Sequence, residues 1–217
     1  MAGGVLLSGR RITGIEAAFR RKGFRRLAGV DEAGRGALAG PVVAAAVILK
    51  KGRPIPGVTD SKRLRHPQRE MLYRRIEEEA LAVGVGIVDV STIEVRNILR
   101  ATLLAMQQAV AALPICPDGI LVDGRAAPDV SGPVFPIPRG DLQCPSISAA
   151  SIVAKVTRDH IMATYHQRYP RYGFDRHKGY GTALHLQFIA EHGISPIHRK
   201  TFSPVRQMRL PLPIPGR

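Results

Sequence analysis

Tryptophan is absent from this 217-residue chain and aromatic residues make up only 5% of it, so Ala, Val, Leu and Ile must fill the core. Acidic residues are scarce as well: 17 Asp and Glu stand against 32 Lys and Arg, a formal net charge of +15. The two cysteines, Cys116 and Cys144, have no CxxC spacing, which excludes a disulfide framework and a zinc ribbon and fits a cytoplasmic, reducing environment. No apolar run approaches the roughly 20 residues of a membrane span, and residues 1–26 lack the apolar stretch of a signal peptide. Nucleotide-cofactor fingerprints are missing too. The glycine after Gly34 and Gly36 is Gly40, one place too far for GxGxxG, the residues that follow read as a strand where a helix is required, and GxxxxGK[ST] does not occur. Most of the histidines crowd between His160 and His198 without an HExxH or His/Cys grouping, so packing, capping or phosphate contacts are expected of His177, His185 and His198.

What is present is the composition of an ordinary globular protein, with 45% hydrophobic and 23% charged residues. A chain of this length buries about 70% of its unfolded surface in one large domain and needs no staple. The positive excess implies a polyanionic partner, nucleic acid foremost, with a merely solvated basic surface as the alternative.

The chain divides into a basic extension (1–26), a main body (27–204) and a Pro-rich tail (205–217). A short helix is expected near Thr13–Phe19. Leu27–Asp31 and Val42–Leu49 read as strands joined by a tight turn, followed by a long loop carrying Asp60, Ser61 and Lys62. Met71, Leu72, Ile76, Ala80 and Leu81 recur at helical spacing. Val83–Val88 makes a third strand. A long helix then starts with Ser91 or Thr92 as its cap and buries Ile93, Ile98, Leu99, Leu103, Met106 and Val110. Gly119–Asp123 is a short strand, Ser146–Tyr169 a continuous helix with Lys155, Arg158 and Arg168 outside, and Thr182–Glu191 a further helix.

Asp31-Glu32-Ala33-Gly34-Arg35-Gly36 is the sharpest local feature. Two adjacent carboxylates at the end of an apolar strand repel each other and lose solvation unless a cation neutralises them. Neighbouring strand residues point to opposite faces, so the pair shares one ion only if the backbone turns there or a main-chain carbonyl joins in. The glycines permit a turn; a surface turn of small residues is the alternative. Asp123, ending a strand where open α/β sheets place their sites, and Asp141, in a Gly-flanked loop, are best placed to add ligands. Hard oxygen donors suit Mg²⁺ or Mn²⁺ over zinc, and such a set can hold two ions about 3.5–4 Å apart for phosphodiester hydrolysis. Around them Lys62, Arg63 and Arg65, Lys155 and Arg158, and Arg176 with Lys178 are candidates to track phosphates. Gly179 and Gly181 flank Tyr180 and can hold its ring out for stacking on a sugar or base.

Together, GVDEAGRGALAGPVVAAAVIL from Gly29, DSKRL from Asp60, ILVDG from Ile120, RGD from Arg139, SISAASIVAKVTRD from Ser146, HKGYGT from His177 and SPIHRKTFSP from Ser195 resemble, in order and over Leu27–Pro204, the bacterial type 2 ribonuclease H family, ribonuclease HII. The resemblance implies an α/β, RNase H-like fold: a mixed central β-sheet flanked by helices, with a helical C-terminal part. It implies that Asp31, Glu32, Asp123 and Asp141 are catalytic and bind two Mn²⁺ or Mg²⁺ ions. It implies that Gly34, Arg35 and Gly36 contact the 2′-hydroxyl, that Tyr180 stacks on the following deoxyribose, and that Lys62, Ser146 and Lys155 also bind substrate. The implied reaction is hydrolysis of RNA in RNA–DNA hybrids and cutting 5′ of ribonucleotides embedded in duplex DNA, with 3′-hydroxyl and 5′-phosphate ends, serving ribonucleotide excision and RNA primer removal. Arg139 stands where family members commonly carry lysine. A monomer without membrane contact is expected, and Gln207, Leu210 and Leu212 faintly resemble a sliding-clamp peptide broken by Pro211 and Pro213. The competing readings are a two-metal DNA nuclease or strand-transfer enzyme of similar fold and a non-catalytic basic nucleic-acid-binding module.

Overall fold

The computed structural model describes residues 14–53, 55–58 and 64–208. Five strands form one sheet: β1 (Leu27–Ala33), β2 (Val42–Ile48), β3 (Ala82–Val88), β4 (Gly119–Asp123) and β5 (Val134–Ile137), in the order β3-β2-β1-β4-β5. β2 is antiparallel to β1 and β3, while β1, β4 and β5 run parallel, so the sheet is mixed. The run VVAAAVI of β2 is buried throughout, because a strand paired on both sides and covered on both faces has no solvent face to alternate toward.

Helix α3 (Val90–Ala111) covers one face of the sheet and α4 (Pro145–Arg168) the other, with α2 (His66–Glu79) beside α4. β1 serves both layers. Its Ala28 and Val30 join the α3 side, and its Leu27 and Ala33 join the α4 side. Glycine sets how closely these layers approach. A Cβ on Gly86 would lie 2.0 Å from the Ala105 carbonyl oxygen, and one on Gly29 would lie 2.1 Å from the Ser146 carbonyl carbon. The glycine alternation in β3 thus marks where helix backbone rests directly on strand backbone.

Several expectations shift. The cap of α3 is Asp89, whose carboxylate accepts from the Thr92 N–H at 2.9 Å, ahead of both the expected Ser91 and the expected Thr92. The same helix kinks at Asn97 (φ 65), where the Asn side chain accepts from the Arg100 N–H at 3.1 Å and restarts it. Leu99, expected on the buried face of its helix, is 47% exposed, and Met71 of the apolar repeat in α2 is 55% exposed. β5 went unread because Pro136 interrupts it; as an edge strand it tolerates the missing donor.

Residues 14–26 belong to the body and do not form a separate extension. Phe19 of α1 (Ile15–Arg21) and Phe24 just after it pack against Phe135 with ring centroids 4.4 and 5.6 Å away, and Asp118 accepts from the Arg25 and Arg26 N–H groups. At the other end, α5 (Phe174–His177), α6 (Ala183–His192) and α7 (Val205–Met208) form the helical C-terminal part. It is stitched to the segment after β1 by bridges between Ala37 and Tyr180 and between Ala39 and His198. Val205 is fully buried, so the start of the expected tail is anchored.

Candidate active site

β1 does not turn at its carboxylate pair. It continues through Glu32 and Ala33, so Asp31 faces α4 and Glu32 faces α3. Both nevertheless reach one cleft of about 530 Å³, because it opens at the rim of the sheet where the parallel β4 ends beside this pair. Asp123, the last residue of β4, enters the same cleft, as do Gly34, Arg35, Gly36, Ser151, Lys155 and Tyr180. Asp31 is almost wholly buried. Burial foremost, then the charges of Glu32 and Asp123, pushes its carboxyl well above the usual carboxylate range. The Ser151 hydroxyl and the Glu32 N–H, the latter 2.8 Å from Asp31 Oδ1, work against that rise. Ser151 was not singled out from sequence, although it lies one helical turn before Lys155, on the same face of α4.

Asp141 does not line this cleft. It is buried in the short 3₁₀ turn Gly140–Leu142, and the Gly140 N–H donates to Asp123 Oδ1 at 2.7 Å, which ties that turn to the β4 carboxylate. Glu32 Oε1 accepts from Arg35 Nη1 at 3.1 Å. In this arrangement no three carboxylate, histidine or cysteine groups among the described residues form a ready-made chelate. The donor chemistry still fits a divalent cation. Hard oxygens are gathered on the rim, and Asp31 is already disfavoured as an anion by its burial and then by two carboxylate neighbours.

The glycine turn divides its labour. Gly34 is buried, has φ +95, and a Cβ on it would lie 2.1 Å from Arg158 Nε. Gly36 is exposed, and a Cβ there would meet nothing within 4 Å. Gly34 is therefore required by the fold, whereas Gly36 is the residue whose bare backbone faces the cleft. Across from it the Tyr180 ring lies 5.6 Å from Lys155 Nζ and 5.2 Å from the Arg158 guanidinium. Lys155 also pairs with Asp159 at 2.6 Å.

Two expected substrate contacts are corrected. Ser146 is buried away from the cleft, where its N–H and hydroxyl both donate to Glu16 Oε1 at 2.8 and 2.7 Å. Arg158, expected outside tracking phosphates, is fully buried because main-chain carbonyls occupy its guanidinium. Lys62 lies outside the described residues.

The histidines have the packing role expected of them, in one directional chain. Ser195 N–H donates to His198 Nδ1, which leaves His198 Nε2 to donate to His185 Nε2 and His185 Nδ1 to donate to the Tyr180 carbonyl at 3.0 Å. His177 accepts from the Gly179 N–H on one side and donates to the Tyr172 carbonyl on the other. Each ring is used in its neutral form. Burial first of all pushes His185 and His198 down to about 4. The loop that presents Tyr180 thus rests on uncharged rings.

The family model described as Ribonuclease HII matches residues 28–205. The chain belongs to the ribonuclease HII family. The ribonuclease HII of Geobacter metallireducens is 55% identical over 193 residues, covering 89% of this chain and 91% of that one. Among solved structures, ribonuclease H2 from Pyrococcus horikoshii matches with a TM-score of 0.72 at 28% identity, covering 84% of this chain and 96% of the other. The ribonuclease HII of Archaeoglobus fulgidus, solved as a complex with PCNA, matches with a TM-score of 0.67 at 25% identity, covering 82% and 95%. These ribonucleases H share the mixed sheet flanked by helices, so the fold expected from the sequence is the fold found.

Proposed function

We propose that the chain is an endoribonuclease that hydrolyses the RNA strand of RNA–DNA hybrids and cuts 5′ of single ribonucleotides in duplex DNA, leaving 3′-hydroxyl and 5′-phosphate ends. Family membership carries the ribonuclease H activity. The observation that supports the ribose-specific cut is that Asp31, Glu32 and Asp123 open into the same cleft as the exposed backbone of Gly36 and the ring of Tyr180. The 2′-hydroxyl is the local difference between the two sugars, and a glycine backbone can approach it without side-chain obstruction.

In this reading Asp31, Glu32 and Asp123 hold divalent ions, Mg²⁺ or Mn²⁺, with Asp141 contributing from the turn tied to Asp123. Bound ions supply a water activated at neutral pH and charge neutralisation at the departing oxygen. The protein groups do the positioning. The Gly34-Arg35-Gly36 turn contacts the ribose, Tyr180 stacks on the next sugar, and Lys155 and Lys62 contact phosphates. Arg35, exposed beside Glu32, adds positive charge at the mouth. A cytoplasmic monomer and a weak sliding-clamp contact through Gln207, Leu210 and Leu212 complete the proposal. The archaeal relative bound to PCNA favours that contact, and residues 209–217 lie outside those described.

The test is one end-labelled duplex carrying a lone ribonucleotide, beside a matched all-DNA duplex and a full hybrid, with Mg²⁺, Mn²⁺ or EDTA. A single cut 5′ of the ribonucleotide, lost in EDTA and absent from all-DNA, is expected. Equal cutting of all-DNA would establish the DNA-nuclease reading instead, and salt-sensitive binding without turnover the binding-module reading.

A further inference from the structure

Arg158 and Arg199 are both fully buried, and among the described residues neither has a carboxylate within salt-bridge distance. Their donors go to main-chain carbonyls of two segments that the chain separates by some 140 positions. Arg158 Nε donates to Pro41 O at 3.0 Å and Nη2 to Ala39 O at 3.0 Å, both on the segment leaving the glycine turn. Its Nη1 donates to Lys178 O at 2.9 Å, at the base of the Tyr180 loop. Lys178 has φ 52, a left-handed backbone that a side chain disfavours, and it holds that geometry with its carbonyl under Arg158. Arg199 closes the other end of the turn, donating to Arg35 O at 3.0 Å and twice to Gly40 O. The guanidinium of Arg158 lies 5.2 Å from the centroid of the Tyr180 ring, and its Nε is the atom that a Cβ on Gly34 would strike.

Resting on the ribonuclease reading above, we infer that Arg158 is a positioning residue for ribose recognition, which sets the glycine turn and the Tyr180 ring at one mutual spacing so that the two act as a single gauge of the sugar. A planar fork with donors in fixed directions can serve three carbonyls on two segments at once; a lysine ammonium at the end of a flexible stem cannot hold the same geometry. Arg158 does not touch the substrate in this account. Its effect is transmitted by the residues that do.

The experiment is a double-mutant cycle in single-turnover cleavage of the lone-ribonucleotide duplex, run well below the unfolding temperature of every variant with the folded fraction checked by circular dichroism. In the Tyr180 background Arg158→Lys should lose at least tenfold in rate with little change in the substrate concentration for half-saturation. In the Tyr180→Ala background the same substitution should lose at most a third as many fold, since the ring it positions is gone. A merely structural arginine would give equal losses in both backgrounds, and that result, or a wild-type rate for Arg158→Lys, overturns the inference. If Arg158→Lys does not fold, Lys178→Gly, which relieves the left-handed φ of 52 and loosens the base of the Tyr180 loop that Arg158 holds, goes through the same cycle with the same expectation, and equal losses in the two backgrounds overturn the inference. The unmutated protein is the separate control. Its failure to cut would refute the ribonuclease reading, whereas an active parent with equal losses refutes the role of Arg158 alone.

Discussion

Replacing Gly36 by alanine separates recognition from folding more cleanly than any other single substitution in the turn. The added methyl meets nothing within 4 Å in the protein, and the residue has no positive φ that a side chain would strain. Stability should therefore stay within about 0.5 kcal/mol of the parent, or rise slightly as the unfolded chain loses freedom. The substrate meets a different situation. If the sugar rests on this backbone, a methyl carbon projecting about 1.5 Å from Cα displaces it by a comparable distance, and a misplacement of about 1 Å costs on the order of 100-fold in rate. Gly34→Ala is the contrasting control. Left-handed backbone costs a side chain roughly 1–2 kcal/mol, and overpacking against Arg158 and Pro41 adds about 1–3 kcal/mol. Thermal unfolding and single-turnover cleavage of the lone-ribonucleotide duplex read both effects. A Gly36→Ala protein that melts like the parent and cuts within twofold of its rate would refute the approach of the turn to the sugar.

Tyr180→Phe should lose modestly and Tyr180→Ala at least tenfold in cleavage rate, because stacking is a property of the ring; equal losses would transfer the role to the hydroxyl. His185 and His198 are held near 4 in the fold against 6.5 when free, so the unfolded chain takes up protons that the folded chain refuses. Their contribution to stability is whole above about pH 6.5, falls as pH drops toward 4 and declines no further below it, amounting to about 2–4 kcal/mol for the pair after allowance for screening. Urea titrations at pH 7.5, 5.5 and 4 check this, and a flat profile would contradict the neutral histidine chain. Ser146→Ala, which leaves the Glu16 carboxylate short of one buried donor, should cost about 1–3 kcal/mol in unfolding. It should leave the half-saturating duplex concentration unchanged; a rise would restore Ser146 to the substrate surface.

What the sequence made legible follows from how local each signal is. The apolar run of β2, the strand Gly119–Asp123 and the helix from Pro145 carry their signals within a few residues, and all three stand where expected. The motif segments also brought Asp31, Glu32, Asp123, the turn, Lys155 and Tyr180 to one cleft. The misreadings come from partners remote in the chain. Nothing near Ser146 reveals that Glu16, 130 positions away, occupies its donors. Arg158 reads as one more surface cation in a basic helix until Ala39, Pro41 and Lys178 are seen to surround it. The two glycines of the turn look alike in sequence and differ only in what a Cβ would touch.

The central claim is that the rim carboxylates act on RNA through divalent ions. Asp31, buried and pressed by Glu32 and Asp123, is the group on which it depends most. The direct measurement is the cleavage rate of Asp31→Asn on the lone-ribonucleotide duplex across a Mg²⁺ and Mn²⁺ titration. The account predicts a loss of at least 100-fold at every ion concentration with the fold retained, since the amide keeps the shape and removes the charge. Parental cleavage by Asp31→Asn at any of those concentrations would contradict it.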